Sequence, residues 1–178
     1  MRTLTLLRHA KSGWDDPVQR DFDRPLNQRG FRGARMMGEH CRRGGLAWDH
    51  VISSPAVRCI ETLDAFWEGY GRTLKPVWDR RVYLASCVHL LDVLNEAPAE
   101  AQNLLMCGHN PGMEDLALML TPDNGDAIRD SVEDKFPTGS IAVLAFDGEW
   151  EDLAARGARL EKFVRPRDLD PALGPDAV

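Results

Sequence analysis

The chain has 178 residues, of which 43% are hydrophobic and 28% are charged, as expected for one compact domain over residues 1–178. Its 28 acidic residues outnumber its 22 lysines and arginines, giving a net charge of −6, which argues against binding to nucleic acid phosphates. The apolar run before Arg8 covers only residues 3–7, far fewer than the roughly 20 residues of a membrane span. We therefore expect a cytoplasmic protein with no membrane partner.

Short apolar runs alternate with amphipathic stretches along the chain and predict buried strands. In chain order, the predicted strands cover residues 3–7, 50–53, 74–78, 103–107, 140–146 and 158–164. Pro76 interrupts the third run, and the polar and apolar residues of the last run alternate imperfectly. Both strands are therefore predicted at the edges of the sheet.

The stretches between the strands predict helices. Ala34, Met37 and Cys41 lie at i, i+3 and i+7 and form an apolar stripe. Ser54 and Pro55 predict a helix start, with the serine as N-cap and the proline at the first helical position. The inner face of this helix is expected to carry Val57, Ile60 and Leu63. A later helix follows a turn at residues 111–112, and its inner face is expected to carry Met113, Leu116, Ala117 and Leu120.

The alternation of strands and helices predicts the fold class. It is typical of an α/β protein, a three-layer α/β/α sandwich in which helices cover both faces of a mostly parallel central sheet. From Pro166 onward, the chain has three prolines, one glycine and few large apolar residues. This composition predicts an irregular tail over residues 166–178.

The cysteines and the paired acids do not indicate catalysis. Cys41, Cys59, Cys87 and Cys107 form no C-x-x-C pair, and none begins the C-x5-R loop of cysteine phosphatases. We expect reduced, mostly buried thiols. The acidic pair at positions 21 and 23 does not follow a buried strand, so we interpret it as a solvated loop. The common nucleotide-binding and zinc-protease motifs are absent from the sequence.

Arginines and histidines follow three of the predicted strands. Arg8 and His9 come directly after the first strand, Arg58 lies shortly after the second, and His109 follows the strand over residues 103–107. Because the carboxyl ends of parallel strands form the ligand crevice of an open sheet, we expect these side chains to converge there. Arginine forks and a helix start suit the oxygens of a phosphoryl group.

Each of these residues also has a structural interpretation. A lone histidine after a strand is commonly a hydrogen-bonded structural group, which is our interpretation of His40, His50 and His89. Arg58 could pair with Glu61 at i+3 on an exposed helix face. The joint placement favours a phosphate site instead, because two arginines and a protonated imidazole at one sheet edge repel one another without an anion.

Three segments together resemble the histidine phosphatase superfamily, which has the phosphoglycerate-mutase-like fold. Residues 6–12, Leu-Leu-Arg-His-Ala-Lys-Ser, resemble its R-H-G/A signature. Residues 53–62, Ser-Ser-Pro-Ala-Val-Arg-Cys-Ile-Glu-Thr, resemble its S-S-P-x-x-R-x-x-x-T segment, and residues 108–111, Gly-His-Asn-Pro, resemble its second histidine motif. Residues 11–14 and 23–30 are similar to the short bacterial SixA-type phosphohistidine phosphatases. The resemblance runs from Leu6 to about Val164.

The resemblance implies a covalent mechanism. His9 would be the nucleophile, taking the phosphoryl group as a phosphohistidine that water then hydrolyses. Arg8, Arg58 and His109 would hold the phosphoryl oxygens and balance their charge. Since the arginines supply this charge, we expect no metal and no cofactor.

A general acid is not identifiable in the sequence. Members of the wider family that act on phosphate esters carry a pocket carboxylate for the alkoxide leaving group, whereas residues 81–86 contain no acid. Asp79, Asp92 and Glu114 stay open as candidates. A missing acid favours cleavage of a P–N bond, since an imidazole with a pKa of roughly 6.5 leaves more readily than an alkoxide.

The sequence therefore predicts a phosphohistidine phosphatase that acts on a phosphorylated protein, which could be a histidine-containing phosphotransfer domain as for SixA-type relatives. One alternative is a phosphatase of small phosphorylated metabolites. Another is a non-catalytic reader of phosphorylated proteins, although a reader would need only the arginines and not both histidines. A mutase is disfavoured because so short a chain has little length for a lid that excludes water.

Overall fold

The described part of the chain is organised around a six-stranded sheet. The computed structural model describes residues 1–13 and 19–174; Trp14, in the motif at residues 11–14, and residues 175–178 of the predicted tail lie outside it. The strands are β1 (Arg2–Arg8), β2 (His50–Ser53), β3 (Val77–Trp78), β4 (Asn103–Gly108), β5 (Ile141–Phe146) and β6 (Arg159–Val164). All six predicted strands are confirmed, and their order in the sheet is β3-β2-β4-β1-β5-β6.

The sheet is mostly parallel, as predicted. β3, β2, β4 and β1 are parallel neighbours, whereas β5 runs antiparallel to both β1 and β6. The two strands predicted at edges, β3 and β6, do lie there. β3 is shorter than predicted and begins only after Pro76, because a proline has no N–H to donate to a neighbouring strand.

Helices cover both faces of the sheet, which confirms the three-layer α/β/α prediction. They are α1 (Gln28–Arg43), α2 (Val57–Tyr70), α3 (Cys87–Asn95), α4 (Gly112–Leu120), α5 (Ala127–Asp134) and α6 (Pro166–Leu169). Successive residues of β1 point to opposite faces. Leu7 packs among Met37 of α1 and Phe66 of α2, whereas Leu4 and Leu6 pack against α3, α4 and α5.

The start of α2 differs from the prediction. The helix begins at Val57 with Ala56 as its N-cap, so Ser54 is not the cap and Pro55 is not the first helical residue. The Oγ atom of Ser54 instead accepts the backbone N–H of Ala56 at 3.2 Å in a local turn. The helix therefore begins two residues later than predicted, and the turn leaves the serine hydroxyl beside the strand ends.

The inner face of α2 is also rotated from its predicted position. Leu63 is buried as predicted, but Val57 and Ile60 are only partly buried. Cys59, Leu63 and Phe66 form the buried stripe, at the i, i+4 and i+7 spacing of a helix face. The rotation turns Arg58 inward, where it is 2% exposed.

Residues 166–173, the first part of the predicted irregular tail, form regular structure. Residues 166–169 form α6, and Pro171–Leu173 forms a 3-10 turn. The Asp168 carboxylate accepts the backbone N–H of Arg165 at 2.9 Å and caps α6. Pro166 and Leu173 are buried beside Gly33 of α1, where the absence of a side chain leaves room for them.

α3 and α5 are not predicted by the sequence pattern, because both are short and their apolar stripes are interrupted. Both begin at conventional caps, since Ser86 and Asp126 accept the backbone N–H groups of His89 and Ile128. None of the helices in the described part of the chain has both the length and the apolar character that a bilayer-crossing helix needs.

Candidate active site

The sheet brings the motif residues together at the carboxyl ends of β1, β2 and β4. Arg8 pairs with Gly108 in the register of β1 and β4, so His9 and His109 follow neighbouring strands. The backbone N–H of His9 donates to the Gly108 carbonyl at 3.0 Å. On the other side of β4, the N–H of Ser54 donates to the Cys107 carbonyl at 3.1 Å. The predicted convergence of the three segments is therefore observed.

The threonine of the second motif fixes the α2 start to the loop after β1. The Oγ1 atom of Thr62 accepts the backbone N–H of Ala10 at 2.9 Å and donates its own proton to the Arg58 carbonyl at 2.6 Å. Thr62 is fully buried. This pair of bonds holds the backbone beside His9 against the helix that carries Arg58.

The two histidines lie side by side and almost fully enclosed. Their ring centroids are 5.3 Å apart, and their exposed fractions are 6% for His9 and 3% for His109. Nδ1 of His9 lies 2.8 Å from the Ala10 carbonyl oxygen. Because a carbonyl only accepts, the proton of a neutral His9 ring is on Nδ1, and the lone pair is on Nε2.

The surroundings of His9 keep its imidazole neutral. Burial lowers the pKa of His9 well below its usual value, and the charges of a protonated His109 and of Arg8 and Arg58 lower it further. The hydrogen bond to Ala10 acts in the opposite direction but is outweighed. A neutral ring with its lone pair on Nε2 is the form that a nitrogen nucleophile requires.

Arg58 is held by Asp21, which belongs to the acidic pair interpreted above as a solvated loop. Nη1 of Arg58 donates to the Asp21 backbone carbonyl at 2.7 Å, and Nη2 donates to its carboxylate at 3.0 Å. Asp21 lies in a 3-10 turn, Asp21–Asp23, so the solvated-loop interpretation is wrong for this residue. The alternative pairing of Arg58 with Glu61 is not observed, since Glu61 accepts the backbone N–H of Leu26.

Arg8 is positioned by the loop before β5. Its Nη1 atom donates to the Phe136 carbonyl at 2.9 Å, and Nδ2 of Asn110 donates to the same oxygen at 3.0 Å. The Glu114 carboxylate accepts the Phe136 N–H at 3.2 Å. The peptide groups of Phe136 thus connect Arg8 to the loop and helix that follow β4.

His109 has three neighbours that the sequence analysis does not assign to the site. Its Nε2 atom lies 2.8 Å from the Ser54 hydroxyl and 3.6 Å from the Cys59 sulfur. The Tyr83 ring meets the His109 ring edge to face, with centroids 5.3 Å apart. The Tyr83 hydroxyl donates to the Asp21 carboxylate at 2.6 Å. Ser54 and Cys59 lie within the second motif, whereas no sequence pattern indicates Tyr83.

Several nitrogen donors in this cluster have no acceptor. Nε of Arg8, Nε of Arg58 and Nδ1 of His109 are buried without a hydrogen-bond partner among the described residues. A buried donor without a partner is costly, by roughly 1–3 kcal/mol. The two arginine nitrogens, and Nδ1 of His109 when that ring is protonated, come from three strand ends and form a site suited to an anion with several oxygens.

The carboxylates considered above as general acids differ in position. Asp79 caps the 3-10 turn Arg80–Val82 and pairs with Arg81 at 2.8 Å. Asp92 is exposed on α3. Glu114 is close enough to Arg8 to raise the pKa of that guanidinium, although burial lowers it more strongly. Of the three, Glu114 alone lies beside the cluster. Within the described residues, no group of three or more His, Cys, Asp or Glu side chains could hold a metal ion.

Asp21 is already ionised at low pH. Its burial alone would raise its pKa, but the hydrogen bonds from Tyr83 and Arg58 outweigh burial and lower the pKa to about 2. A carboxyl group with this pKa does not serve as a proton donor near neutral pH. Its role in this cluster is to hold Arg58 and Tyr83 in place.

Replacing Asp21 by Asn is expected to lower the free energy of unfolding by about 1 kcal/mol at pH 7. The folded-state pKa of Asp21 is depressed, so its contribution is complete above the unfolded-state value of about 3.9 and is lost as the pH falls toward about 2. Urea denaturation of both proteins is measured from pH 7 down to about pH 2.5, and the difference in their free energies of unfolding should shrink below about pH 4. The exposed Asp64 of α2 provides the control, Asp64→Asn; a pH-independent difference for Asp21→Asn would contradict the assignment.

Known proteins resemble the chain over nearly its whole length. A family model described as histidine phosphatase superfamily, branch 1, matches residues 4–81. The chain is 34% identical to an uncharacterized protein of Mycobacterium tuberculosis, over 90% of this chain and 100% of that protein. It is 32% identical to an uncharacterized chloroplastic protein of Arabidopsis thaliana, over 93% of this chain and 78% of that protein.

Two solved structures combine a similar fold with sequence identity above 30%. A protein of Nakamurella multipartitia, provisionally described as the phosphohistidine phosphatase SixA, superposes with a TM-score of 0.80 at 32% identity, over 93% of this chain and 96% of that one. A protein of Agrobacterium tumefaciens with the same provisional description gives a TM-score of 0.76 at 31% identity, over 93% and 98%. The fold is the phosphoglycerate-mutase-like fold of these proteins.

Proposed function

Because the chain belongs to the histidine phosphatase superfamily, we propose that it hydrolyses phosphohistidine on a protein through a phosphorylated His9. The observation that carries this proposal is the state of His9. Its Nδ1 proton is bound by the Ala10 carbonyl at 2.8 Å, and its ring is buried where the charges of Arg8 and Arg58 act on it. This arrangement prepares Nε2 for attack on phosphorus.

In the first step, Nε2 of His9 forms a bond to phosphorus while the P–N bond of the substrate breaks. The leaving imidazole departs neutral when its other ring nitrogen carries a proton, so the enzyme does not have to supply one. In the second step, water attacks phosphorus, the bond to Nε2 breaks, and orthophosphate leaves with a proton lost to solvent. His9 returns to its neutral form with the proton still on Nδ1.

The charge on the phosphoryl oxygens is balanced by Arg8, Arg58 and His109. Nε of Arg8, Nε of Arg58 and Nδ1 of His109 are buried without a partner among the described residues, and Nδ1 of His109 donates when that ring is protonated. Donors that are fixed before the reaction stabilise the transition state without a reorganisation cost. The bonds of Arg58 to Asp21 and of Arg8 to Phe136 provide this fixation.

The preference for a P–N bond rests on the carboxylates near the site. Asp21 has a pKa of about 2, and Glu114 accepts the Phe136 N–H and lies beside Arg8. Neither is arranged as a proton donor for an alkoxide. The provisional SixA description of the two structural relatives supports the same substrate class, and a histidine-containing phosphotransfer domain in the cytoplasm is the proposed partner.

The test is a comparison of substrates with different leaving groups. We expect kcat/KM for a phosphohistidine peptide to exceed that for glucose 6-phosphate by about 10²–10⁴-fold, the usual contribution of a general acid. Orthophosphate release is measured for both compounds with the same enzyme sample. A higher kcat/KM for the ester, reduced by Glu114→Gln, would favour the small-metabolite phosphatase. Tight binding of the peptide without release of orthophosphate would favour the reader.

A further inference from the structure

A basic cleft adjoins the active site on the side of α1. It has a volume of about 310 Å³ and lies between the first turns of α1, the loop before β5 and the segment around α6. Six cationic side chains line this basic cleft: Arg8, Lys11, Arg29, Lys135, Arg165 and Arg167. No Asp or Glu of residues 1–13 and 19–174 is among its lining residues.

The charge of the basic cleft is opposite to that of the chain. Six of the 22 lysines and arginines line one cavity in a protein whose net charge is −6. Some of this charge is neutralised internally, since Arg165 pairs with Asp168 at 2.8 Å. Arg29 donates a hydrogen bond to the Gly174 carbonyl. Within the described part of the chain, no carboxylate lies within salt-bridge distance of Lys135 or Arg167. Such clustering of like charge is unfavourable unless an anion joins it.

Glycines in the walls of the basic cleft allow neighbouring segments of the chain to pack closely. Gly30, Gly33, Gly139 and Gly174 are among its lining residues. Gly139 has a φ of 77°, and its N–H donates to the carbonyls of both Arg8 and His9. This close approach fixes the loop before β5 against the end of β1, so the cleft and the histidine cluster are built on the same backbone.

Arg8 connects the basic cleft to the reaction. It is the last residue of β1, where it pairs with Gly108 of β4 and directly precedes His9. It also lines the cleft. An anion in the cleft would therefore lie on the far side of the same residue that holds the phosphoryl group. A volume of about 310 Å³ is at the lower end for small-molecule sites and is ample for a carboxylate side chain or a phosphate.

We propose that the basic cleft is a substrate subsite, which binds a carboxylate or phosphate carried by the substrate close to its phosphohistidine. This inference rests on the proposed function, because it assigns the second anion to the molecule that His9 dephosphorylates. Binding of this anion selects acidic surroundings of the phosphohistidine. It also explains how a protein with a net negative charge can accept an acidic partner.

The test compares two phosphohistidine peptides that differ only in the residues near the phosphohistidine, glutamates in one and glutamines in the other. The variant is the double charge reversal Lys135→Glu with Arg167→Glu. The matched control, Arg72→Glu with Lys75→Glu, changes the charge equally in the loop between α2 and β3, at the opposite edge of the sheet. A second pair, 3-phosphoglycerate and glycerol 3-phosphate, distinguishes a small metabolite from a protein as the source of the anion.

We expect the natural enzyme to prefer the glutamate peptide by about tenfold in kcat/KM, which corresponds to about 1.4 kcal/mol, close to one charge-assisted hydrogen bond. The control should keep this preference, and the variant should lose it. A preference confined to the small-molecule pair and lost in the variant supports the subsite with a metabolite as the anion source. Two results would overturn the subsite: equal kcat/KM values of the natural enzyme for both members of each pair, or a loss of kcat/KM in the variant that is the same for both members. Failure of every substrate in the natural enzyme overturns the proposed function instead.

Discussion

Replacement of His9 by Ala is expected to lower kcat/KM for a phosphohistidine peptide by about 10⁴-fold or more, as for the loss of other catalytic nucleophiles. Nε2 of His9 is the atom that forms the covalent bond, and no other described side chain offers an equivalent lone pair at the same place. His109 lies with its ring centroid 5.3 Å away, but its Nε2 atom is within hydrogen-bonding distance of Ser54. Orthophosphate release measured at saturating and subsaturating peptide gives kcat and KM separately.

The control for His9→Ala is His89→Ala. His89 is an exposed histidine of α3, so its replacement removes an imidazole outside the cluster. We expect kcat/KM to stay within about twofold and the free energy of unfolding to change by no more than about 0.5 kcal/mol, as is usual for surface substitutions. Circular dichroism of both variants establishes that they fold. A His9→Ala protein that folds and keeps more than one tenth of the activity would rule out the covalent mechanism.

Replacement of Arg58 by Met is expected to lower kcat by about 10²–10³-fold, the range observed when one preorganised oxyanion donor is removed. Arg58 is 2% exposed, and methionine fills part of its volume without a charge. The loss should appear mainly in kcat, because the guanidinium contributes most when charge develops on the transferred oxygens. Arg58→Lys retains the charge and tests the need for a planar fork.

The matched control for Arg58→Met is Arg80→Met. Arg80 is exposed and lies over the Phe22 ring, 5.1 Å from its centroid. Its replacement therefore removes a cation that lies outside the histidine cluster. Its kcat should stay close to that of the natural enzyme. A change in KM alone for Arg58→Met would show that Arg58 binds substrate and transition state equally, which contradicts its proposed role.

Most of the fold follows from sequence patterns with short-range causes. The runs that form β1, β2, β4 and β5 are predicted to within one residue at each end, because strands that are covered by helices on both faces consist of nearly continuous apolar residues. The edge positions of β3 and β6 are also predicted. Pro76 indicates the edge position of β3, and the imperfect alternation of polar and apolar residues indicates that of β6. The carboxyl-end rule for parallel sheets then places Arg8, His9 and His109 together without knowledge of any coordinates.

The parts that sequence does not predict depend on long-range contacts. The sequence around Asp21 indicates a solvated acid, yet Asp21 binds Arg58, which is 37 positions away. Tyr83 lies in no motif and reaches Asp21 across 62 positions. The helix α6 is stabilised by packing on α1 beside Gly33, which its proline-rich composition conceals. Such contacts are a property of the folded backbone, so a local pattern carries no signal for them.

The most direct test of the central claim is detection of the phosphorylated enzyme. The protein is mixed with a phosphohistidine peptide in a rapid-quench apparatus, stopped in alkali, and analysed by phosphorus-31 NMR and by mass spectrometry of its peptides. Because the Ala10 carbonyl holds the Nδ1 proton of His9, the predicted result is a phosphoryl group on Nε2 of His9 that forms and decays at the rate of turnover. The mechanism would be contradicted by turnover with the phosphoryl group on another residue or on Nδ1 of His9, or by turnover without a phosphorylated enzyme at any time.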